Sequence, residues 1–259
     1  MSLQSLPTRR AGSVPVATAV QMAEADRIAS DGLGIPLDTL MENASRQIAE
    51  CVRLAFGEVS GKDVVALVGK GNNGGDAMGA LPYLREAGAL VEAYAIAARD
   101  ELGVLPGIRH DALTKSGVTV RETTAMEDAA VVRRLERADV VIDGLLGYSA
   151  TKPARGEVAR LILLATAAAA PNKTIAVDLP SGLHPDLGTR PLEPQGGVMH
   201  AAVTTTLALP KPGLLVKAAR IHVGELLVAD IGIPDAAFAK LGIDTRGLFT
   251  RGRIVRVTF

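Results

Sequence analysis

Val64-Val-Ala-Leu-Val68, followed at once by Gly69-Lys-Gly-Asn-Asn-Gly-Gly-Asp76, is the stretch on which the reading of this chain turns. A short unbroken apolar run is what a strand buried on both faces of a parallel sheet looks like. The glycine-rich segment after it reads as a strand-to-helix connection, with the helix expected over residues 77–87. Working downstream, similar apolar runs recur at residues 90–96, 118–120, 140–142, 174–177, 203–209 and 225–228. Helical patterns lie between several of them, at residues 77–87, about 126–137 and 157–170. Strand alternating with helix in this way predicts an α/β fold: a doubly wound, mostly parallel sheet with helices on both faces, in three layers. The connections late in the chain are long enough for one edge strand to run antiparallel.

Working upstream, Thr18-Ala-Val-Gln21 fits a capping box and opens a helix expected to reach about Asp31. A second helix follows Pro36, where Leu37, Leu40, Met41, Ala44, Ile48, Val52 and Ala55 recur at steps of three and four and Gly57 supplies a stop. Residues 1–17 hold two prolines and small polar residues and read as a flexible N-terminal tail. Residues 18–259 read as a single domain, a size that suits one α/β unit.

Composition excludes several classes. Lys+Arg and Asp+Glu both total 28, so the formal net charge is zero, which argues against a general nucleic-acid or membrane-surface binder. There are three Tyr, four Phe and no Trp, so the core must come from aliphatic residues and a base-stacking platform is not expected. The longest apolar stretch, residues 161–170, is half of the roughly twenty residues a membrane span needs. Arg9-Arg10 precede no apolar segment before Glu24 and Asp26, so no export signal is read there. The single cysteine, Cys51, permits no internal disulfide; it lies beside the apolar stripe of the second helix and reads as a packed thiol in a reducing, cytoplasmic protein.

In open α/β sheets, ligands bind outside the carboxyl ends of the strands. Four strand exits here carry unusual residues: Gly69 to Asp76, Asp143-Gly144-Leu-Leu-Gly147-Tyr148-Ser149, Asp178-Leu-Pro180-Ser181-Gly182 and Pro210-Lys211-Pro212-Gly213. Gly69, Gly71 and Gly74 satisfy G-x-G-x-x-G between a strand and a helix, a context that favours an anion held by backbone N–H groups. Alone the pattern is weak, and a turn rich in Asn and Gly for its tolerance of positive φ is the bland alternative. The ribose-binding acid of a dehydrogenase is missing at the end of the next strand, and no Lys-Ser or Lys-Thr follows the glycines as a P-loop requires. Asp143 and Asp178 each follow a buried run, so each carboxylate must be hydrogen-bonded, paired or bound to a cation. Either caps its own loop, or hard oxygens from Asn73, Asp143, Ser181 and backbone carbonyls hold a monovalent ion; without a His or Cys cluster, zinc and redox metals are disfavoured. His110, His184, His200 and His222 form no metal-binding pair, and no G-x-S-x-G elbow surrounds Ser181.

With those residues in place, the chain resembles the NAD(P)H-hydrate epimerase family, whose domain is also called the YjeF N-terminal domain. The resemblance covers roughly residues 18–234. It runs through Met22 and Asp26, Gly34-Ile-Pro36, Leu40-Met-Glu-Asn-Ala44, the Gly71 to Asp76 segment, Asp143, Val177-Asp-Leu-Pro-Ser-Gly182, Lys211-Pro-Gly213 and Val223-Gly-Glu-Leu-Leu-Val-Ala-Asp-Ile-Gly-Ile-Pro234. Single motifs are weak; their order and joint presence are specific. The resemblance implies a Rossmann-like homodimer that interconverts the R and S forms of hydrated NADH and NADPH. It implies substrate binding by Asn72, Asn73, Gly74, Gly75 and Asp76, by Gly147, Tyr148, Ser149, Ala150, Thr151, Lys152 and Pro153, and by Asp178. It also implies one potassium ion (K+) per subunit at Asn73, Asp143 and Ser181. Many bacterial relatives carry a fused dehydratase; only 25 residues follow Pro234, so the dehydratase is expected as a separate partner protein.

Two features depart from the family pattern. Ala77 stands where glycine is usual, placing a methyl group where backbone and ligand are expected to approach, and residues 147–153 differ from the usual Gly-Thr-Gly form. Chemically, the ring nitrogen of the hydrate can help expel the C6 hydroxyl, with water returning from the other face; Asp178 is the candidate for the proton exchange or for orienting that hydroxyl. Gly74 is expected to let the backbone approach the substrate's phosphates. The alternative from another class is a catalytically silent nucleotide-binding or scaffold protein on the same domain, as in the decapping-enhancer scaffold of RNA decay. An intact Asn72 to Asp76 segment together with Asp178 speaks for the enzyme.

Overall fold

The computed structural model describes residues 2–168, 170–188 and 197–259; Met1 of the expected tail, Ala169 of an expected helix and residues 189–196 lie outside them. The strands among the described residues are β1 (Thr8–Arg10), β2 (Asp63–Val68), β3 (Leu90–Ala95), β4 (Thr119–Glu122), β5 (Val140–Gly144), β6 (Thr174–Val177), β7 (Val203–Leu207), β8 (Glu225–Ala229) and β9 (Ile254–Thr258). They form one sheet in the order β1-β9-β8-β7-β6-β5-β2-β3-β4, in which every pair is parallel except β8 with β9. The doubly wound α/β architecture is therefore the one the sequence predicts.

The period of two in a strand explains why Val64–Val68 of β2 must all be apolar. Val64, Ala66 and Val68 join one core and Val65 and Leu67 the other. On the first face lie α1 (Ala19–Arg27), α2 (Leu37–Phe56), α3 (Asn72–Glu86) and α4 (Val104–Lys115); on the second lie α5 (Asp128–Arg137) and α6 (Gly156–Ala167). Two short helices, α7 (Arg220–Val223) and α8 (Asp235–Ala239), flank β8 in sequence. The capping box forms as read: Thr18 Oγ1 accepts from the Gln21 N–H at 3.2 Å, and Gln21 Oε1 accepts from the Thr18 N–H at 2.9 Å. Helix α2 ends at Gly57, whose φ of 76° is open to glycine at little cost.

Three differences from the sequence reading have physical reasons. The expected tail is ordered: Thr8–Arg10 add an edge strand beside β9, and Val14 and Ala17 are buried. Its short polar run, Thr-Arg-Arg, has no apolar pattern to betray a strand; backbone pairing with β9 recruits it, joined by a bond from the Arg9 guanidinium to the Gly247 carbonyl at 2.8 Å. Helix α4 is additional; Pro106 and Gly107 disguise it, though proline is tolerated in a first turn. Helix α3 starts at Asn72, five residues earlier than expected, so most of the glycine-rich segment is helix rather than loop.

Glycine inside a helix is unfavourable by about 1 kcal/mol against alanine, so its presence there calls for a steric reason. A Cβ on Gly74 would stand 2.1 Å from the Gly69 carbonyl oxygen, and one on Gly79 would stand 2.1 Å from Ser45 Oγ of α2. These glycines let α3 sit directly on the end of β2 and on α2. A Cβ on Gly71 meets nothing within 4 Å.

Gly74→Ala should therefore lower the free energy of unfolding by about 1–3 kcal/mol, the ordinary range for overpacking. Gly71→Ala should change it by less than about 1 kcal/mol, the scale of a cap effect. Urea denaturation of the two variants checks this, and equal midpoints would show that the close approach at Gly74 is not required.

Candidate functional site

From β2 the chain proceeds outward to β3 and β4, then returns to lay β5 against the other flank of β2. Chain leaving β2 and chain leaving β5 thus diverge, which opens a crevice at their carboxyl ends. A cavity of about 650 Å³ lies there, within the size range of small-molecule sites. One wall is apolar, built by Met22 of α1, Leu40 and Met41 of α2, Ile96 and Leu105. The facing wall carries Asn72, Asn73 and Asp76 of α3, with Tyr148, Asp178 and Lys211 from three strand exits. Asp26 of α1 closes the polar side. At the start of α3 the Gly74 and Gly75 N–H groups bond the Gly71 carbonyl at 3.0 and 3.2 Å, while those of Asn72 and Asn73, which line this cavity, have no intrahelical acceptor.

Asp178 is aimed by its backbone. Its φ is +67°, and Leu179 N–H bonds the Val177 carbonyl at 2.8 Å across it. On the neighbouring strand exit Ala208 has φ +61°, and Leu209 N–H bonds the Leu207 carbonyl at 2.8 Å. Both are γ-turns of the rare, strained hand, side by side where the crevice opens. The Asp178 carboxylate accepts from the Tyr148 N–H at 3.0 Å, from the Leu207 N–H and Thr206 Oγ1 at 3.4 Å each, and closely from Lys211 Nζ. Lys211 is wholly buried and also donates to the Leu207 carbonyl at 3.2 Å and to Thr206 Oγ1 at 3.3 Å. Its ammonium lies 5.4 Å from the centre of the Tyr148 ring, whose hydroxyl donates to Asp26 Oδ2 at 2.6 Å.

The remaining acids are less well matched. Burial raises the Asp26 carboxyl, against the hydrogen bond from Tyr148 and the charge of Lys211. Burial, and then the charge of Asp26, raises the Tyr148 phenol. Asp76 is pushed well above the usual carboxylate range, first by burial and then by the charge of Asp178.

Beneath the cavity, Asn73, Asp143 and Ser181 fasten the exits of β5 and β6 together. Asn73 Nδ2 donates to the Leu146 carbonyl at 2.8 Å and to the Val177 carbonyl at 3.1 Å. Ser181 donates to Asp143 through its hydroxyl at 2.6 Å and its N–H at 2.8 Å, and its Oγ accepts from the Leu146 N–H at 3.0 Å. Burial pushes the Asp143 carboxyl up to about 6, against the donors from Ser181 and Leu145.

Of the residues singled out from sequence, Asn72, Asn73, Asp76, Gly147, Tyr148, Ser149, Ala150 and Asp178 line the cavity. Gly74 and Gly75 are buried within α3, while Thr151, Lys152 and Pro153 stand outside the lining, the first two exposed. The close approach at Gly74 is made by the protein's own Gly69 carbonyl. The Ala77 methyl likewise points away from the cavity, into a space where a Cβ on Gly144 would lie 2.5 Å from it. Cys51 is buried and its thiol is pushed up to about 12 by that burial, as a packed thiol should be. Sequence reasoning gave no role to Lys211 or Asp26. A lysine between two prolines just past a strand was the available signal for the first; nothing in the amphipathic pattern of α1 distinguishes the second.

Residues 37–213 match the family described as YjeF-related protein N-terminus. The chain is 34% identical over 239 residues to a protein of Dehalogenimonas lykanthroporepellens named NAD(P)H-hydrate epimerase, covering 92% of this chain and 90% of that one. A Rhodopirellula baltica protein of the same name is 34% identical, covering 85% and 86%. The chain is also 34% identical to the bifunctional NAD(P)H-hydrate repair enzyme Nnr of Salinibacter ruber, but spans only 41% of that relative's length. In three dimensions it is similar to the yeast protein ynu0, with a TM-score of 0.76 at 23% identity, over 93% of this chain and 99% of that one.

The Asp178–Lys211 pair predicts a specific energetic pattern. Lys211→Met should cost about 3–5 kcal/mol of stability, because it strands a buried carboxylate. Adding Asp178→Asn to that variant should recover most of the loss. Denaturant titration of the single and double variants measures it, and a double variant no more stable than Lys211→Met would contradict the pairing.

Proposed function

The chain belongs to the family of YjeF-related protein N-terminal domains, and from that premise we propose that it is an NAD(P)H-hydrate epimerase, interconverting the R and S forms of hydrated NADH and NADPH. The observation that carries the reading is the meeting, in one cavity at the switch point of the sheet, of an open helix N-terminus with an anchored carboxylate. The α3 N–H groups at Asn72 and Asn73 suit a pyrophosphate. The apolar wall of Met22, Leu40 and Met41 suits a reduced nicotinamide ring. In the hydrate, the ring nitrogen's lone pair assists departure of the C6 hydroxyl, and water adds to the other face. Asp178, fixed by Lys211, accepts a hydrogen bond from that hydroxyl and orients it. The strained turn at Asp178 is consistent with such a role, since strain of this kind collects at functional positions.

We read Asn73, Asp143 and Ser181 as the holders of one potassium ion per subunit. The donor set fits such an ion: it is all oxygen with one formal charge, and Asp143 is wholly buried with no cationic side chain in ion-pair contact among the described residues. Asn73 commits its amide nitrogen to two carbonyls, which leaves its Oδ1 to act as a ligand. When bound, the ion would supply a positive charge that compensates Asp143 beneath the cavity. The wider reading is a homodimer in a reducing cytoplasm with a functional link to a dehydratase. It is supported by relatives that bear the bifunctional repair name and by one buried, unpaired Cys51. No helix among the described residues is long and apolar enough to cross a membrane.

Incubating the protein with one purified epimer of hydrated NADH should produce the other faster than the spontaneous rate, followed by chromatography. No acceleration would leave the silent scaffold as the better reading. For the ion, crystals soaked in rubidium should give an anomalous peak among Asn73, Asp143 and Ser181, and a featureless map at high salt would remove the potassium assignment.

A further inference from the structure

Three carboxyl groups line the cavity, those of Asp26, Asp76 and Asp178, and the surroundings of the last two differ in kind. Asp178 is held by four donors, one of them the Lys211 ammonium. Asp76, on α3, is 6% exposed, and among the described residues no donor bonds its carboxyl. The charged and titratable groups that face it or share its cavity are Asp26 from α1, Lys70 from the exit of β2, Arg109 from α4, and Tyr148, Asp178 and Lys211 from the exits of β5, β6 and β7. The cations are paired with other acids: Arg109 with Asp38 at 2.8 Å and Glu42 at 2.7 Å, leaving only its Nε without a partner, Lys211 with Asp178, and Lys70 with Glu101 at 2.5 Å. Tyr148 directs its proton to Asp26.

A carboxyl without protein donors, buried beside two other acids, is shifted toward the neutral acid. Two carboxyl groups set apart in this way mark the acid and the fixed anion of a site. We propose that Asp76, rather than Asp178, donates the proton to the departing hydroxyl of the hydrate, with the Asp178–Lys211 pair as a positioning element that does not exchange a proton. The proposal rests on the epimerase reading above. The Asp76 proton goes to the C6 hydroxyl oxygen, and the C6–O bond breaks with its electron pair leaving on water. The lone pair of the ring nitrogen forms the double bond to C6. The ring cation and the Asp76 carboxylate arise together, so the site's net charge is unchanged. Water then adds to the opposite face of C6, the nitrogen recovers its lone pair, and the released proton returns to Asp76 through water. The direction in which burial and Asp178 shift the Asp76 carboxyl agrees with this role.

The test is steady-state epimerisation by the parent protein and Asp76→Asn, with NADP+ affinity measured in parallel by calorimetry. Asp76→Asn should lower kcat by about 10²–10⁴-fold, the span of general acid catalysis, with KM and NADP+ affinity changed by less than about threefold. Turnover near the parent's would overturn the assignment; so would a loss of NADP+ affinity as large as the loss of rate, which would make Asp76 a binding contact. Should Asp76→Asn fold poorly, the parent decides alone: its kcat should decline on the alkaline side as the acid loses its proton, and a flat profile counts against the proposal. In isotopically labelled water, each turnover should place the label on C6. Retention of the original oxygen would mean that the ring opens at its nitrogen instead, and no acid of this kind would be needed. If the parent does not exceed the spontaneous rate, the epimerase reading fails; if the parent is active and Asp76→Asn equally so, only the assignment of Asp76 fails.

Discussion

A lysine with no exposed surface can exist as a cation only if something holds it, and at the carboxyl edge of this sheet that something is Asp178. The pair depends on backbone that most residues avoid: Asp178 and Ala208 both adopt positive φ at neighbouring strand ends. Neither turn would persist on its own. Each is held by sheet hydrogen bonds on one side, Asp178 N–H to the Thr205 carbonyl and Ala208 N–H to the Ala229 carbonyl, and by the ion pair between them. From this centre the rest of the polar wall follows. Tyr148 N–H bonds the same carboxylate, its ring lies near the ammonium, and its hydroxyl reaches across to α1.

Steric rather than chemical constraint governs the opposite side. The glycines of α3 let the helix settle onto the end of β2 and onto α2, which brings Asn72, Asn73 and Asp76 to the crevice. The motif that resembles a phosphate loop is thus a helix start under compression. Only the Asn72 and Asn73 N–H groups are left without a helix acceptor, since those of Gly74 and Gly75 bond the Gly71 carbonyl, and Gly69 and Ser45, which crowd the helix glycines, do not line the cavity.

The same arrangement separates three buried carboxylates by environment. Asp143 is satisfied by Ser181 and Leu145 and braces two loops; Asp178 is neutralised by Lys211; Asp76 has neither kind of partner. In a low-dielectric interior, donors and counter-charges decide whether a carboxyl is an anion or an acid. One residue type thereby serves as brace, anchor and proton carrier within a single site.

The architecture and the edge at which the cavity lies can be read from the order of residues alone. Unbroken apolar runs can be buried only between two helical layers, and the polar residues that interrupt them fall just past the strand ends. Asn72, Asn73, Asp76, Asp143, Tyr148, Asp178 and Ser181 were legible for that reason. Which groups meet there depends on how the chain packs. Asp178 and Lys211 are 33 residues apart, and Tyr148 and Asp26 are 122 apart. Their partnerships arise from strand order, which periodicity does not encode. The edge strand at Thr8–Arg10 was hidden for a related reason, because its place is set by pairing with β9 through backbone groups that every residue carries alike.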